Sequence, residues 1–289
     1  MYRLAILFLL FNLPACEQPP QEEQLEAKTF SNKLELPPHE ENWDFYIGLI
    51  DSNVSSTFVD LGFLEISPLE GFDHLAHVSI TLNDPNPENN LSSSSEAPKL
   101  IQIENYIEKH LTEDTLSTYV GRYTSNGFRD LCFFTQDTTE FFKRMPNILS
   151  QYPEYNFDYG VQLDPNWEVY SDFLYPSPKQ FQTIQNRKVL ENLETNNDPL
   201  TDQRLVEHWI FFKSDSDRGS FIEEIKELNF IIVEKWFEKE NSELYPFALQ
   251  ISRIDKVGYN DIDNVTHPIL DLAIKYNGDY DGWETSVEN

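Results

Sequence analysis

The sequence predicts an α+β protein made of two ferredoxin-like sandwiches, the first carrying extra N-terminal strands. Three observations predict it. Local patterns in the order strand, helix, strand, strand, helix, strand occur twice along the chain. A length of 289 residues favours two domains over one. The 21 Phe, 14 Tyr and 5 Trp need cores to bury them, which separates this acidic chain from a disordered one.

Residues 1–15 read as an address. Arg3 precedes the apolar stretch Leu4 to Phe11, which is shorter than the roughly 20 residues needed to span a bilayer but suits the core of a secretory signal. Leu13-Pro14-Ala15-Cys16 resembles the lipobox of bacterial lipoproteins, with Pro14 as its departure from the usual small or aliphatic residue. That resemblance implies cleavage before Cys16 and acylation of its thiol and new amino group. Residues 16–40, rich in Glu, Gln and Pro, are expected to form a flexible tether. The implied location is the bacterial cell envelope with a lipid anchor at Cys16; an uncleaved N terminus would place the protein in the cytoplasm instead.

The first body is expected over 41–180. Trp43 to Ile50 and Thr57 to Phe63 are β-rich runs forming a hairpin, and His77 to Leu82 is a further strand. Leu100, Ile103, Ile107 and Leu111 form the apolar stripe of a helix with Pro98 near its start. Tyr119 to Thr124 and Phe128 to Phe134 flank Asn126-Gly127, the pair that supplies the positive φ angles of a tight hairpin turn. Asp137 and Glu140 have capping-box spacing ahead of Phe141, Met145 and Ile148, although Pro146 within that stripe predicts a kink or a later start. A strand around 155–163 closes the body.

Residues 181–197, rich in Asn and Gln, read as a connector with room for a short helix over Val189 to Glu194. The second body, 198–289, repeats the order: a strand over Arg204 to Lys213, a helix over Asp215 to Asn229, and two strands over 230–238 and 245–253. A helix after Pro268 then stops at Gly278, ahead of a final strand.

Charge narrows the function. Acidic residues outnumber basic ones 50 to 21, a net −29. Residues 40–180 carry 23 acidic and 7 basic groups and residues 198–289 carry 20 and 9, so both bodies are acidic. Such a field repels phosphate, disfavours direct nucleic-acid binding and favours a basic protein partner. Cys16 and Cys132 are too few for a disulfide framework or a thiolate zinc site. Cys132 is expected to be a packing residue.

The second body resembles the RraB family, the regulators of ribonuclease E activity B, through Asp202-Gln203-Arg204, Val206-Glu207-His208, the Phe230 turn and above all Gly278-Asp279-Tyr280-Asp281-Gly282-Trp283-Glu284. Asn229 stands where the family usually has glycine. The resemblance implies an α+β sandwich that acts without catalysis, by binding an endoribonuclease and restraining it. The first body resembles an uncharacterised bacterial family, domain of unknown function 695. Its marks are Trp43, Phe45-Tyr46, Tyr119 to Thr124, Gly127 to Asp130 and Asp164-Pro165-Asn166-Trp167-Glu168-Val169-Tyr170.

Asp279, Tyr280, Asp281, Trp283 and Glu284 are the candidate partner-binding residues, with the rings as anchors and the acids recognising a basic partner. The plainer reading keeps Trp283 in the core, the acids in solvent, and Gly278 and Gly282 at a turn or bulge. Asp279-x-Asp281-Gly282 lacks the later glutamate of a calcium loop, and Asp215, Asp217 and Glu223 fail the same spacing; Ser214 and Asp217 read as helix caps. His74 and His77 lack third and fourth metal donors, His208 reads as a core or edge histidine, and Arg122 and Arg129 read as partners of internal carboxylates. No cofactor, metal or catalytic residue is assigned. A non-enzymatic, envelope-anchored binding protein is therefore expected, with two alternatives: a cytoplasmic regulator of ribonuclease or RNA-processing activity, and an envelope hydrolase using carboxylates such as Asp279 and Asp281, with or without a metal.

Overall fold

The computed structural model describes residues 36–238 and 244–288; the signal, Cys16 and most of the tether lie outside the described residues. Mixed helix and sheet are organised around two antiparallel sheets, as an α+β chain requires.

The first sheet is built from β1 (Trp43–Ile50), β2 (Asn53–Asp60), β3 (His74–Thr81), β4 (Ser117–Ser125), β5 (Phe128–Thr135) and β6 (Phe157–Leu163), in the spatial order β1-β2-β4-β5-β3-β6. Asn126 at φ 50° and Gly127 at φ 83° turn β4 into β5, as the Asn-Gly pair predicts. Helices α1 (Ala97–Thr112) and α2 (Thr138–Leu149) cover one face with the expected stripes, Leu100, Ile103, Ile107 and Leu111 from α1 and Phe141, Met145 and Ile148 from α2. The Asp137 carboxylate accepts from the amides of Thr139 and Glu140, and α2 continues through Pro146 instead of starting after it.

The opposite face is also covered, which the strand and helix order does not reveal. A 3-10 turn (Leu61–Glu65) and a π-helical segment (Val169–Leu174) bring Phe63, Trp167, Tyr170 and Leu174 against Val120, Cys132 and Phe134. Trp167 stacks on Phe134 at 3.8 Å and donates its indole N–H to the Phe72 carbonyl at 2.9 Å. Cys132 is buried here, and burial pushes its thiol far up, so it packs rather than reacts. Gly121, at φ 153° and at a register shift in β4, lies so close to β2 that a Cβ would meet the Phe58 carbonyl oxygen at 2.6 Å.

Arg122 and Arg129 pair with one internal carboxylate. Glu104 of α1 is buried and accepts from Arg122 Nε at 2.9 Å, Arg129 Nη1 at 3.1 Å and the Tyr119 hydroxyl at 2.8 Å.

Residues 181–197 are mostly helix, not an open connector. Helix α3 (Pro178–Thr195) starts at a capping box in which Ser177 and Gln180 exchange hydrogen bonds. Its Ile184 enters the first body's core, while Leu190 and Leu193 enter the second.

The second sheet comprises β7 (Gln203–Phe212), β8 (Ile231–Phe237), β9 (Phe247–Lys256) and β10 (Gly278–Thr285), in the order β10-β7-β9-β8. Helices α4 (Asp215–Glu227) and α5 (Ile262–Lys275) pack on one face. Ser214 caps α4 by accepting from the Asp217 amide. Helix α5 begins before Pro268 rather than after it, because Val265, Ile269, Leu270 and Ala273 already form a buried stripe. In each body the strands of the repeated β-α-β-β-α-β unit lie in the order fourth, first, third, second.

Candidate functional site

The final strand forms one edge of its sheet and, among the described residues, pairs only with β7. Its register shifts between Tyr280 and Gly282, leaving Asp281 without a partner across the ladder. In a regular strand, residues 280 and 283 would face opposite sides of the sheet. One extra residue reverses that parity, so both rings turn inward. Gly282 sits at φ 135°, a conformation that side chains rarely adopt.

Both rings are therefore core residues, each 7% exposed. This is the plainer of the two readings for Trp283, with the rings packed inside instead of standing out as anchors. The Tyr280 hydroxyl meets His208 Nδ1 at 2.8 Å. Trp283 donates its indole N–H to Asn186 Oδ1 at 2.8 Å. Asn186 is 1% exposed and is the hub of a buried polar network: its Oδ1 also accepts from Gln182 at 2.8 Å, and its amide donates to Asp263 at 2.6 Å and to Thr266 at 2.8 Å. Thr183 donates to the other Asp263 oxygen at 2.7 Å. These bonds hold α3 against α5 and above Trp283.

Asp279, Asp281 and Glu284 point to solvent. Among the described residues none of the three makes an ion pair. Burial, with the Asp281 charge as the smaller cause, raises the Asp279 carboxyl above its ordinary value. No hydrogen bond links Asp279 or Asp281 to a serine, histidine or other nucleophile among the described residues.

These acids line a groove of about 1020 Å³ between β10 and α3. Pro178, Phe181, Gln182, Gln185, Lys188, Val189, Asn192 and Leu193 form one wall, a spacing that selects a single face along nearly the whole helix. The other wall is the complete run 278–285. Residues of both faces of β10 can line one groove only if it follows the strand's free edge. Leu270 and Ile274 add apolar floor. Lys188 is the lining cation, and it is engaged by Asp44 at 3.1 Å. The groove is thus apolar within and acidic at its strand wall.

Beyond the groove, a buried ion pair fixes the end of β10. Asp198 and Arg204 have side chains 0% and 2% exposed. Asp198 also accepts from the Glu288 amide at 2.8 Å, and Arg204 donates to the Ser286 carbonyl at 3.1 Å. The Arg204 hydrogen bonds hold the Asp198 carboxyl well below the usual range.

His74 and His77 belong to β3, and no group of three His, Cys, Asp or Glu side chains able to hold a metal occurs among the described residues. No helix among them is long and apolar enough to cross a membrane. Cys16 lies outside the described residues.

Residues 183–285 match the family model described as regulator of ribonuclease activity B. The second body is RraB-like. That match begins inside α3, so it takes in most of the helix that walls the groove together with all of β10. Residues 41–175 match a family of unknown function, DUF695. No curated protein matches the chain. A crystal structure of an unknown protein from Galdieria sulphuraria aligns with 74% of this chain and 99% of its own, at 8% identity and a TM-score of 0.20. The RraB match makes a regulator-type binding protein the coarse reading of the RraB-like body.

Proposed function

We propose that this chain is a non-enzymatic regulator that binds a basic region of a protein partner in the groove between α3 and β10. The observation that carries the reading is the coincidence of the RraB match with that groove, whose strand wall bears Asp279, Asp281 and Glu284 without internal cations. An acidic wall over an apolar floor suits a partner presenting basic side chains beside aliphatic ones. The first body contributes through α3, whose position it helps to set by burying Ile184.

The test is affinity capture by the full chain at low and high salt, beside the variant Asp279→Asn/Asp281→Asn/Glu284→Gln. Proteins held by the wild type at low salt should be lost from the variant and at high salt. Equal capture by both proteins would move the binding site elsewhere.

Two placements accompany this reading. Leu13-Pro14-Ala15-Cys16 supports an envelope lipoprotein anchored through Cys16. The RraB match supports a cytoplasmic regulator of ribonuclease or RNA processing. Mass spectrometry of the native N terminus separates them: an acylated Cys16 establishes the first, an intact Met1 the second.

A further inference from the structure

We infer that the partner enters the groove as an extended, basic segment that adds a strand to the free edge of β10. This rests on the binding-regulator reading and specifies its geometry. The edge offers backbone amides and carbonyls with no strand beyond them among the described residues. Eight residues of β10 at about 3.3 Å each span roughly 26 Å. The 18 residues of α3 at 1.5 Å each span about 27 Å. The two walls are therefore matched in length and accommodate one extended segment of about eight residues between them.

Side chains of an added strand alternate between two faces. Those on the helix side would meet Phe181, Val189 and Leu270, and those on the opposite face would meet Asp279 and Glu284. The occupant that fits both is a segment alternating apolar and basic residues. A second copy of this chain is the wrong occupant, because pairing two β10 edges would set Asp279, Asp281 and Glu284 against their own copies. The acids that recognise a basic strand thus also keep the edge from pairing with itself.

The probe is an acetylated, amidated peptide of four Lys-Val repeats, tested on the full chain by fluorescence anisotropy. Two further peptides carry N-methyl groups on every lysine or on every valine amide. In an added strand, only alternate amides face the receiving edge. One methylated peptide should therefore keep the parent affinity while the other loses at least tenfold. Neutralising Asp279, Asp281 and Glu284 should weaken the parent peptide roughly tenfold, for three exposed ion pairs of modest strength. Hydrogen exchange should slow at β10 amides when the parent peptide binds. Salt-sensitive binding with both methylated peptides equally affected, and no protection of β10, would overturn strand addition while leaving an acidic binding surface intact. Absence of binding by the parent peptide would overturn both.

Discussion

Replacing His208 with glutamine should remove a pH dependence of folding that one buried ring imposes. His208 is 0% exposed, on β7 beneath the helices. Its Nδ1 meets the Tyr280 hydroxyl at 2.8 Å, and its Nε2 has no partner among the described residues. Phe230 stands edge-on to the ring at 5.5 Å, with the Arg253 guanidinium 4.1 Å above the Phe230 ring. Burial first, and the Arg253 charge second, push the imidazole down to about 3 from its ordinary 6.5. Above pH 6.5 neither the folded nor the unfolded histidine is charged, so stability is unaffected. Between pH 6.5 and about 3 only the unfolded ring takes a proton, and stability falls as pH falls. At pH 5 that loss is about 2 kcal/mol, or roughly 4–8 °C in melting temperature for a cooperative unit of this size. Glutamine can still hydrogen-bond to Tyr280 but does not titrate. Urea unfolding followed by tryptophan fluorescence at pH 7 and pH 5 measures the effect. The wild type should lose about 2 kcal/mol more than His208→Gln across that interval, a subtraction that cancels every group the two proteins share. Parallel losses would refute the reasoning and mean that protonated His208 is accommodated in the fold.

Two further substitutions probe the supports of the groove. Asp198→Asn leaves Arg204 buried without its counter-charge and should cost about 3–5 kcal/mol in denaturant unfolding; a cost below 1 kcal/mol would mean that water reaches the pair. In the wild type the depressed Asp198 carboxyl contributes fully above pH 3.8 and loses its contribution as pH falls below that value, so at the pH 7 and pH 5 used for His208 its contribution is constant. Asn186→Leu strands the Trp283 indole N–H and the Gln182 amide in the interior and should cost about 2–3 kcal/mol, with faster hydrogen exchange in α3. An unchanged midpoint would show that the network repacks around leucine.

Much of this architecture is legible in the sequence because its signals are local and redundant. The Asn126-Gly127 turn, the Leu100 to Leu111 stripe and the Asp137 cap each specify geometry from a few neighbouring residues. Helix α3 escapes the same reading because its buried face includes amides: Gln182 and Asn186 sit among Ile184, Leu190 and Leu193, so a hydropathy pattern sees a polar connector. The signal that identifies it is chemical, Ser177 and Gln180 at capping-box spacing with Pro178 between them. The start of α5 is missed because Pro268 suggests a first turn. Its absent N–H is inexpensive there, since the carbonyl it would have bonded belongs to Asn264, an exposed position that water can serve. At the candidate site, the sequence marks the strand but leaves its rings between two readings, partner anchors and core. Residues 280 and 283 share a face only because Asp281 bulges, and a bulge depends on pairing with β7 that no local pattern contains.

The same facts explain why the groove belongs to the whole chain and not to the RraB-like body alone. The regulator match begins at residue 183, but the cap at Ser177 and the wall residues Pro178, Phe181 and Gln182 precede it. Phe181 and Ile184 pack with the first body's aromatic core. Arg187 reaches back to the Phe45 carbonyl at 3.0 Å, with its guanidinium 4.0 Å above the Phe45 ring. Leu190 and Leu193, on the next turns, pack with the second core. One helix is thus fixed at its start by the first body and at its end by the second, with Asn186 and Trp283 joining it to β10 between them. A wall held at both ends keeps its spacing from the strand, so a partner need not spend binding energy on ordering the groove. In the proposed mode of binding the first body thus acts without touching the partner, by helping to set the distance between α3 and the acidic edge.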